Sequence, residues 1–141
     1  MKSFSTLLTA FGLATTVIAD FYLVGEVISH VEGVEDPKVK AVSAADRGNC
    51  DQIDRSPNID GATGDNFFPY PEEEFRTETP LCNIQLRFNK DGDNFKVVDD
   101  VTGDDAGYCT RGNDAEVQFC TWGLVSAEYV EDYYCQSWVC S

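Results

Sequence analysis

Carboxyl groups are the most abundant side chains in this sequence that can perform acid–base chemistry. The 141 residues include 25 Asp and Glu residues and a single histidine. A glycosidase uses two carboxyl groups, about 5–9.5 Å apart, whose surroundings drive their pKa values apart. With so many acidic residues, the sequence does not single out such a pair. A small secreted hydrolase that acts on carbohydrate through carboxylates therefore stays open as an alternative, with no catalytic residue assigned.

The single histidine, His30, has no evident catalytic partner. A serine hydrolase needs a histidine base beside its nucleophile, and the sequence contains no Gly-x-Ser-x-Gly motif. A lone histidine also argues against a ribonuclease, which generally pairs a histidine with a second histidine or a glutamate. We expect His30 to be a solvated residue at the end of a strand.

Oxygen-bearing side chains alternate at Asn89, Asp91 and Asp93, a spacing that suits Ca²⁺. An EF-hand loop beginning at Asn89 would need Gly and Glu where the sequence has Asn94 and Asp100. An Asp-Gly hairpin turn explains the same residues more simply. We therefore assign no metal site and no cofactor, and keep these three residues only as a calcium alternative.

Residues 67–75 are rich in aromatic side chains and proline. The aromatic residues are Phe67, Phe68, Tyr70 and Phe75, and three glutamates precede the last of them. A proline-stiffened segment loses little entropy on docking, so one interpretation is a binding loop with aromatic anchors. The other is that the aromatic side chains fold back onto the core and leave the glutamates in solvent.

The cysteines indicate covalent bracing. Their even number predicts three disulfides formed in an oxidising compartment. The six residues are Cys50, Cys82, Cys109, Cys120, Cys135 and Cys140. Fifteen pairings are possible and the sequence does not choose among them. Thiol catalysis is excluded if every cysteine is paired.

Residues 1–19 have the pattern of a secretory signal peptide. Lys2 supplies an early positive charge, an apolar stretch follows, and cleavage after Ala19 would make Asp20 the first mature residue. The apolar stretch is too short to span about 30 Å of hydrocarbon. We expect a secreted, extracellular protein with no membrane partner, in which residues 20–141 form one domain.

The charge restricts the partners. The formal net charge is −15, whereas proteins that bind nucleic acid or anionic membranes recruit Lys and Arg to meet phosphate. Nucleic acid is therefore not expected as a partner.

Strand patterns dominate the rest of the sequence. Residues 20–28, 38–44 and 83–89 are predicted strands, and an Asp-Gly turn should return the chain along residues 94–98. A second hairpin is predicted between residues 108–111 and 116–122.

Two segments are less clear. Residues 46–80 show no sustained period, which predicts a long irregular segment that is functional or hides short strands. Residues 124–140 fit a pair of strands or a short helix, and their aromatic and β-branched content favours strands. The sequence as a whole predicts an all-β fold, a single compact sandwich or small barrel of about seven or eight antiparallel strands braced by disulfides.

The overall layout resembles the small secreted cysteine-rich proteins of filamentous fungi, many of which are candidate effectors on plant hosts. The motif Tyr108-Cys109-Thr-Arg111-Gly112-Asn113, followed by Phe119-Cys120, also resembles the Alternaria major-allergen (Alt a 1-like) β-barrel family. Cys135 and Cys140 depart from that family's pattern, and no functional residue is carried over from it.

These observations favour a non-enzymatic function. We expect a secreted, effector-like protein that acts in virulence by binding a host protein or a cell-wall polysaccharide. The carboxylate-dependent hydrolase is the alternative.

Overall fold

The computed structural model describes residues 20–35, 37–60, 74–112 and 116–140. The predicted signal peptide, residues 1–19, lies outside them. The strands are β1 Phe21–His30, β2 Gly33–Val34, β3 Lys38–Ser43, β4 Ile59–Asp60, β5 Glu74–Thr77, β6 Leu86–Asp91, β7 Asn94–Asp99, β8 Asp105–Arg111, β9 Val117–Trp122 and β10 Val125–Ser137. A 3-10 turn at Ala44–Asp46 and one short helix, α1 Cys50–Arg55, follow β3.

All strands belong to one curled antiparallel sheet. Its order is β2-β1-β10-β8-β7-β6-β5-β4, with β3 also paired to β1 and β9 also paired to β10. The segment just before β4, at one end of the sheet order, contacts β3, which pairs with β1 near the other end. The Ala41 backbone N–H donates to the Pro57 carbonyl at 2.9 Å. An antiparallel bridge between Lys40 and Asn58 lies beside this bond. The all-β prediction with antiparallel strands is confirmed, and the sheet curls into a small, incompletely closed barrel.

Alternating apolar residues fill the concave side of the sheet. In β6, Leu86 and Phe88 are fully buried whereas Arg87 between them is partly exposed. The ring of Phe75 stacks on Phe88 with centroids 4.6 Å apart and meets the edge of Phe95 at 5.0 Å. Burial of each such side chain stabilises the fold by about 1.5–3 kcal/mol. This cluster is the main core.

A smaller apolar cluster lies on the other side of β1, β10 and β9, beneath α1. It contains Val24, Val42, Ile53, Cys120, Ala127 and Tyr129. The helix begins after Asn49, whose side chain accepts from the Gln52 backbone N–H at 3.3 Å. A helix this short is unstable by itself in water, so the contact of Ile53 with the sheet and the bond from Cys50 to Cys120 must hold it.

The six cysteines form three disulfides, as the sequence predicted. The pairs are Cys50–Cys120, Cys82–Cys140 and Cys109–Cys135. The last pair joins residues directly opposite each other in β8 and β10, inside the main core. Cys50–Cys120 attaches α1 to β9, and Cys82–Cys140 attaches the segment after β10 to the turn between β5 and β6.

The predicted hairpin between residues 108–111 and 116–122 is wrong. β8 and β9 do not pair with each other, and both pair with β10, one after the other along the same side. The junction is held by the Gly112 N–H bound to the Asp132 carbonyl at 2.7 Å and the Glu131 N–H bound to the Glu116 carbonyl at 2.9 Å. Local glycine and asparagine suggested a turn, but the length of β10 decides the pairing.

The two unclear segments contain regular structure. Residues 46–80 include α1, β4 and β5, with residues 61–73 outside the described part. Residues 124–140 form one long strand, β10, rather than a pair of strands or a helix, and its strand conformation agrees with the aromatic and β-branched content.

Candidate binding surface

Strands β1 and β10 continue past the barrel wall and form an extension of the sheet. β3 pairs with β1 only up to Glu26, and β8 pairs with β10 only from Tyr133 onwards. Beyond these points, β2 and β9 take over as the neighbours of β1 and β10. The result is a four-stranded segment, β2-β1-β10-β9, which we call the extension.

One face of the extension is covered by α1. Cys120 of β9 is bonded to Cys50, and the Trp122 indole N–H donates to the Asp51 carboxylate at 3.0 Å. The Gln118 side-chain amide lies 3.4 Å from the sulfur of Cys50. Residues 118, 120 and 122 therefore face the helix.

The opposite face of the extension has no cover within the described part of the chain. Cross-strand partners share a face, and the register places Val27 beside Glu128 and Phe119, and Val130 beside Val117. Val34 pairs with Ser29 on the same side. We call this surface, made by Val27, Val34, Val117, Phe119 and Val130, the open face.

The open face carries exposed apolar side chains among the polar residues Ser29, Thr121, Ser126 and Glu128, whereas a solvated sheet face is normally polar throughout. Phe119 is 72% exposed, Val34 65% and Val117 46%. The turns at the end of the extension add Val31 and Leu124, also exposed, beside an open depression of about 560 Å³. A concentration of exposed apolar side chains on one part of a folded domain marks interaction sites.

His30 lies at the rim of this depression, at the end of β1. Its Nε2 is 2.5 Å from a carboxylate oxygen of Glu35, and the Lys38 ammonium is 3.8 Å from the other oxygen. The hydrogen bond with His30 lowers the pKa of Glu35. The described lining contains no hydroxyl or thiol group, so this pair has no protein nucleophile to activate there.

Backbone groups along one edge of β9 also lack a strand partner among the described residues. β9 pairs with β10 over Val117–Trp122, while the collinear β8 has β7 on its other side. The sequence of β9, VQFCTW, contains no charged residue and no proline, the features with which proteins usually protect a sheet edge.

A cluster of buried polar side chains, Lys40, Glu26 and Tyr129, lies between α1 and the sheet. Lys40 donates to the carbonyl oxygens of Asp54 at 2.9 Å and Ser56 at 3.3 Å, and its ammonium is 3.9 Å from the Glu26 carboxylate. Burial raises the pKa of Glu26, and the charge of Lys40 opposes this effect. Burial, together with the neighbouring Glu26, also raises the pKa of Tyr129. Because Glu26 is only 2% exposed, these groups do not meet solvent or ligand, and they hold α1 in place.

A second, smaller depression collects carboxyl groups at the junction of β8 and β9. It has a volume of about 130 Å³ and is lined by Asp132, Glu131 and Glu116, among others. Arg47 bonds Glu131 at 2.9 Å, pairs with Glu116, and lies over the ring of Tyr22 at 4.9 Å. Burial raises the pKa of Asp132. A carboxyl group with a raised pKa in a depression is what a general acid requires.

The aromatic segment is described only in part. Phe75 is 5% exposed and lies in the main core, whereas Phe67, Phe68 and Tyr70 lie outside the described residues.

The calcium alternative falls on the β6–β7 hairpin. Asn89 and Asp91 are in β6, and Asp93 is in the turn before β7. The Asp91 carboxylate accepts a hydrogen bond from the Tyr108 hydroxyl at 2.9 Å. Within the described ranges, no group of three or more His, Cys, Asp or Glu side chains is placed to hold a metal ion.

The open face was not predicted from the sequence. The available signal was the absence of charge over residues 117–122 in a chain with 25% charged residues. No helix in the described part of the chain is long and apolar enough to cross a membrane. No family model, curated protein or solved structure matches this chain, so its function must be inferred from its own residues.

Proposed function

We propose that this is a secreted protein that acts by binding a host protein or a cell-wall component, in the manner of a fungal effector, with the open face as its contact surface. The observation that carries the proposal is the exposure of Phe119, Val34 and Val117 on a sheet face opposite a covered one. Leaving such surface in water is unfavourable by roughly 25 cal/mol per Å². A partner that buries it gains that free energy.

Secretion is supported by the covalent structure. Three disulfides persist in extracellular and other oxidising compartments and are rare in reducing ones. The signal-peptide pattern of residues 1–19 agrees with this. A braced scaffold keeps the open face in one conformation outside the cell, which lowers the entropy lost on binding.

The test is retention of the purified mature protein on insoluble wall polysaccharides and on immobilised host extracellular proteins. We expect Phe119→Lys to reduce retention about tenfold or more, since a central aromatic anchor typically carries more than 1–2 kcal/mol. Val101→Lys is the matched control, because Val101 is 84% exposed in the turn between β7 and β8, away from the open face. Equal retention of the two variants would refute the open face as the contact surface.

The hydrolase alternative has its own test. If the protein releases sugars from any polysaccharide in the panel, Asp132→Asn should abolish turnover while leaving retention intact. That result would replace binding by catalysis as the function.

A further inference from the structure

Resting on the proposed function, we propose that the partner is a polypeptide with a basic, extended segment that adds as a strand to the free edge of β9. Its alternate apolar side chains cover the open face. Both the backbone edge and the adjoining side chains of β9 contribute to this inference.

The β9 edge is suited to strand addition. Alternate residues of an edge strand point their N–H and C=O groups outward, where an extended peptide can bind them. The terminal strands of the sheet order, β2 and β4, have only two residues each, which limits pairing. β9 offers six residues without charge or proline.

The edge is also held in position before a partner arrives. The Cys50–Cys120 bond and the Trp122–Asp51 hydrogen bond fix β9 to α1 from the covered face. A preorganised strand loses little conformational entropy on binding. An added strand would continue the sheet and place every second side chain over the open face beside Phe119 and Val117.

Charge decides the chemistry of the partner. Glu128 lies beside Phe119 in the register, and no lysine or arginine shares the open face among the described residues. The chain carries a net charge of −15. In a strand added to β9, the residues that alternate with those over the open face point to the α1 side, where the Asp51 carboxylate accepts from Trp122. The complementary segment therefore alternates apolar residues with Lys or Arg. A second copy of this chain is disfavoured because β9 has no basic residue and two copies repel.

The probe is a fluorescein-labelled eight-residue peptide that alternates Lys with Val and Phe, measured by fluorescence anisotropy with the mature, disulfide-bonded protein. One matched peptide carries N-methyl groups on alternate backbone nitrogens, and another has Glu in place of Lys. We expect both changes to weaken binding about tenfold or more. Hydrogen exchange should show new protection in the β9 amides when the first peptide binds.

Protein variants distinguish specific peptide binding at the β9 edge from nonspecific hydrophobic adsorption. Phe119→Lys should abolish peptide binding, Phe119→Leu should retain it, and Val101→Lys should leave it unchanged. Phe119 is largely exposed, so these changes should leave the unfolding transition almost unchanged, and each variant's circular dichroism checks its fold.

Several results would overturn the inference. Equal binding of the N-methylated peptide would exclude strand addition, and equal binding of the Glu peptide would exclude a basic partner. If light scattering shows a dimer that Phe119→Lys dissociates, the occupant of the open face is a second copy of this chain. If a soluble wall polysaccharide competes with the peptide, the occupant is carbohydrate. If retention depends on Phe119 but no peptide binds, strand addition fails and the proposed function stands. If neither retention nor peptide binding depends on Phe119, the strand-addition proposal and the proposed function both fail.

Discussion

At the scale of single residues, the most consequential feature is the Glu26 carboxylate buried beside Lys40 under α1. Removing a charge from water costs several kcal/mol unless partners replace the lost hydration. Lys40 has three acceptors, including the Asn58 side chain at 3.1 Å. Glu26 has the more distant Lys40 ammonium at 3.9 Å. The carboxylate is thus the less well compensated of the two charges.

Glu26 should make stability depend on pH. Its pKa is raised in the folded state, first by burial, so the folded protein holds this proton at pH values where the unfolded chain has lost it. The free energy of unfolding should therefore rise as pH falls from 7 towards the unfolded value near 4.5. In Glu26→Gln this contribution is absent, and the rise should be smaller.

Denaturant unfolding of wild type and Glu26→Gln between pH 7 and 4.5 measures the effect. The difference between the two proteins isolates Glu26 from the other groups that face it, Lys40, Tyr129, Lys38 and Asp54. Glu32→Gln, at an exposed position, is the control and should follow wild type. Parallel wild-type and Glu26→Gln curves would contradict the assignment.

Lys40 should be far less replaceable than Glu26. Lys40→Met leaves two carbonyl oxygens and the Asn58 amide oxygen without their donor and Glu26 without a counter-charge. We expect a loss of about 3–5 kcal/mol in the free energy of unfolding. The double variant with Glu26→Gln should recover part of that loss, and additive effects in the cycle would show that the two side chains are not coupled.

At the scale of elements, short segments depend on tethers rather than on their own propensity. α1 has six residues and contributes one buried side chain, Ile53, to the smaller cluster. The disulfide from Cys50 closes a separation of 70 residues to Cys120 in β9. We therefore expect the helix and the covered face of the extension to unfold as one cooperative unit.

Replacement of both Cys50 and Cys120 by serine should destabilise the protein by about 2–4 kcal/mol. Hydrogen exchange should accelerate first in α1 and β9, the two elements that the bond joins. Replacement of Cys82 and Cys140 is the comparison, since that pair holds the C-terminus and should leave α1 and β9 protected. Uniform loss of protection in both variants would show that α1 is not a separate unit.

Whether a feature depends on neighbouring or on distant residues explains what the sequence could predict. The β6–β7 hairpin is a local feature, since Asp91 pairs with Asn94 across a turn in which Gly92 has φ +63°. Its turn chemistry and alternating apolar residues predict it directly. The arrangement of β8 and β9 is non-local, because both depend on the length of β10 and on its junction at Asp132. The open face is non-local too, because its residues come from four strands brought together by that pairing.

At the scale of the whole molecule, several basic side chains form ion pairs with nearby carboxylates. Arg76 and Arg87 both lie near Glu74 and Asp100, and Lys96 is 2.9 Å from Asp105. Because these exposed pairs are worth about 0–1 kcal/mol each, they do not offset the repulsion among the remaining carboxylates. The net charge of −15 should therefore destabilise the folded state at low salt.

Added salt should stabilise the protein. The Debye length falls from about 30 Å at 0.01 M to about 8 Å at 0.15 M ionic strength, which screens carboxylates spread over the surface more than ion pairs in contact. We expect Tm to rise between these conditions by about 4 °C, or roughly 1 kcal/mol for a domain of this size. Calorimetry in NaCl and in tetramethylammonium chloride should give the same rise, because screening does not depend on the cation. A rise confined to one cation would indicate specific binding, and a fall would show that the ion pairs outweigh the repulsion.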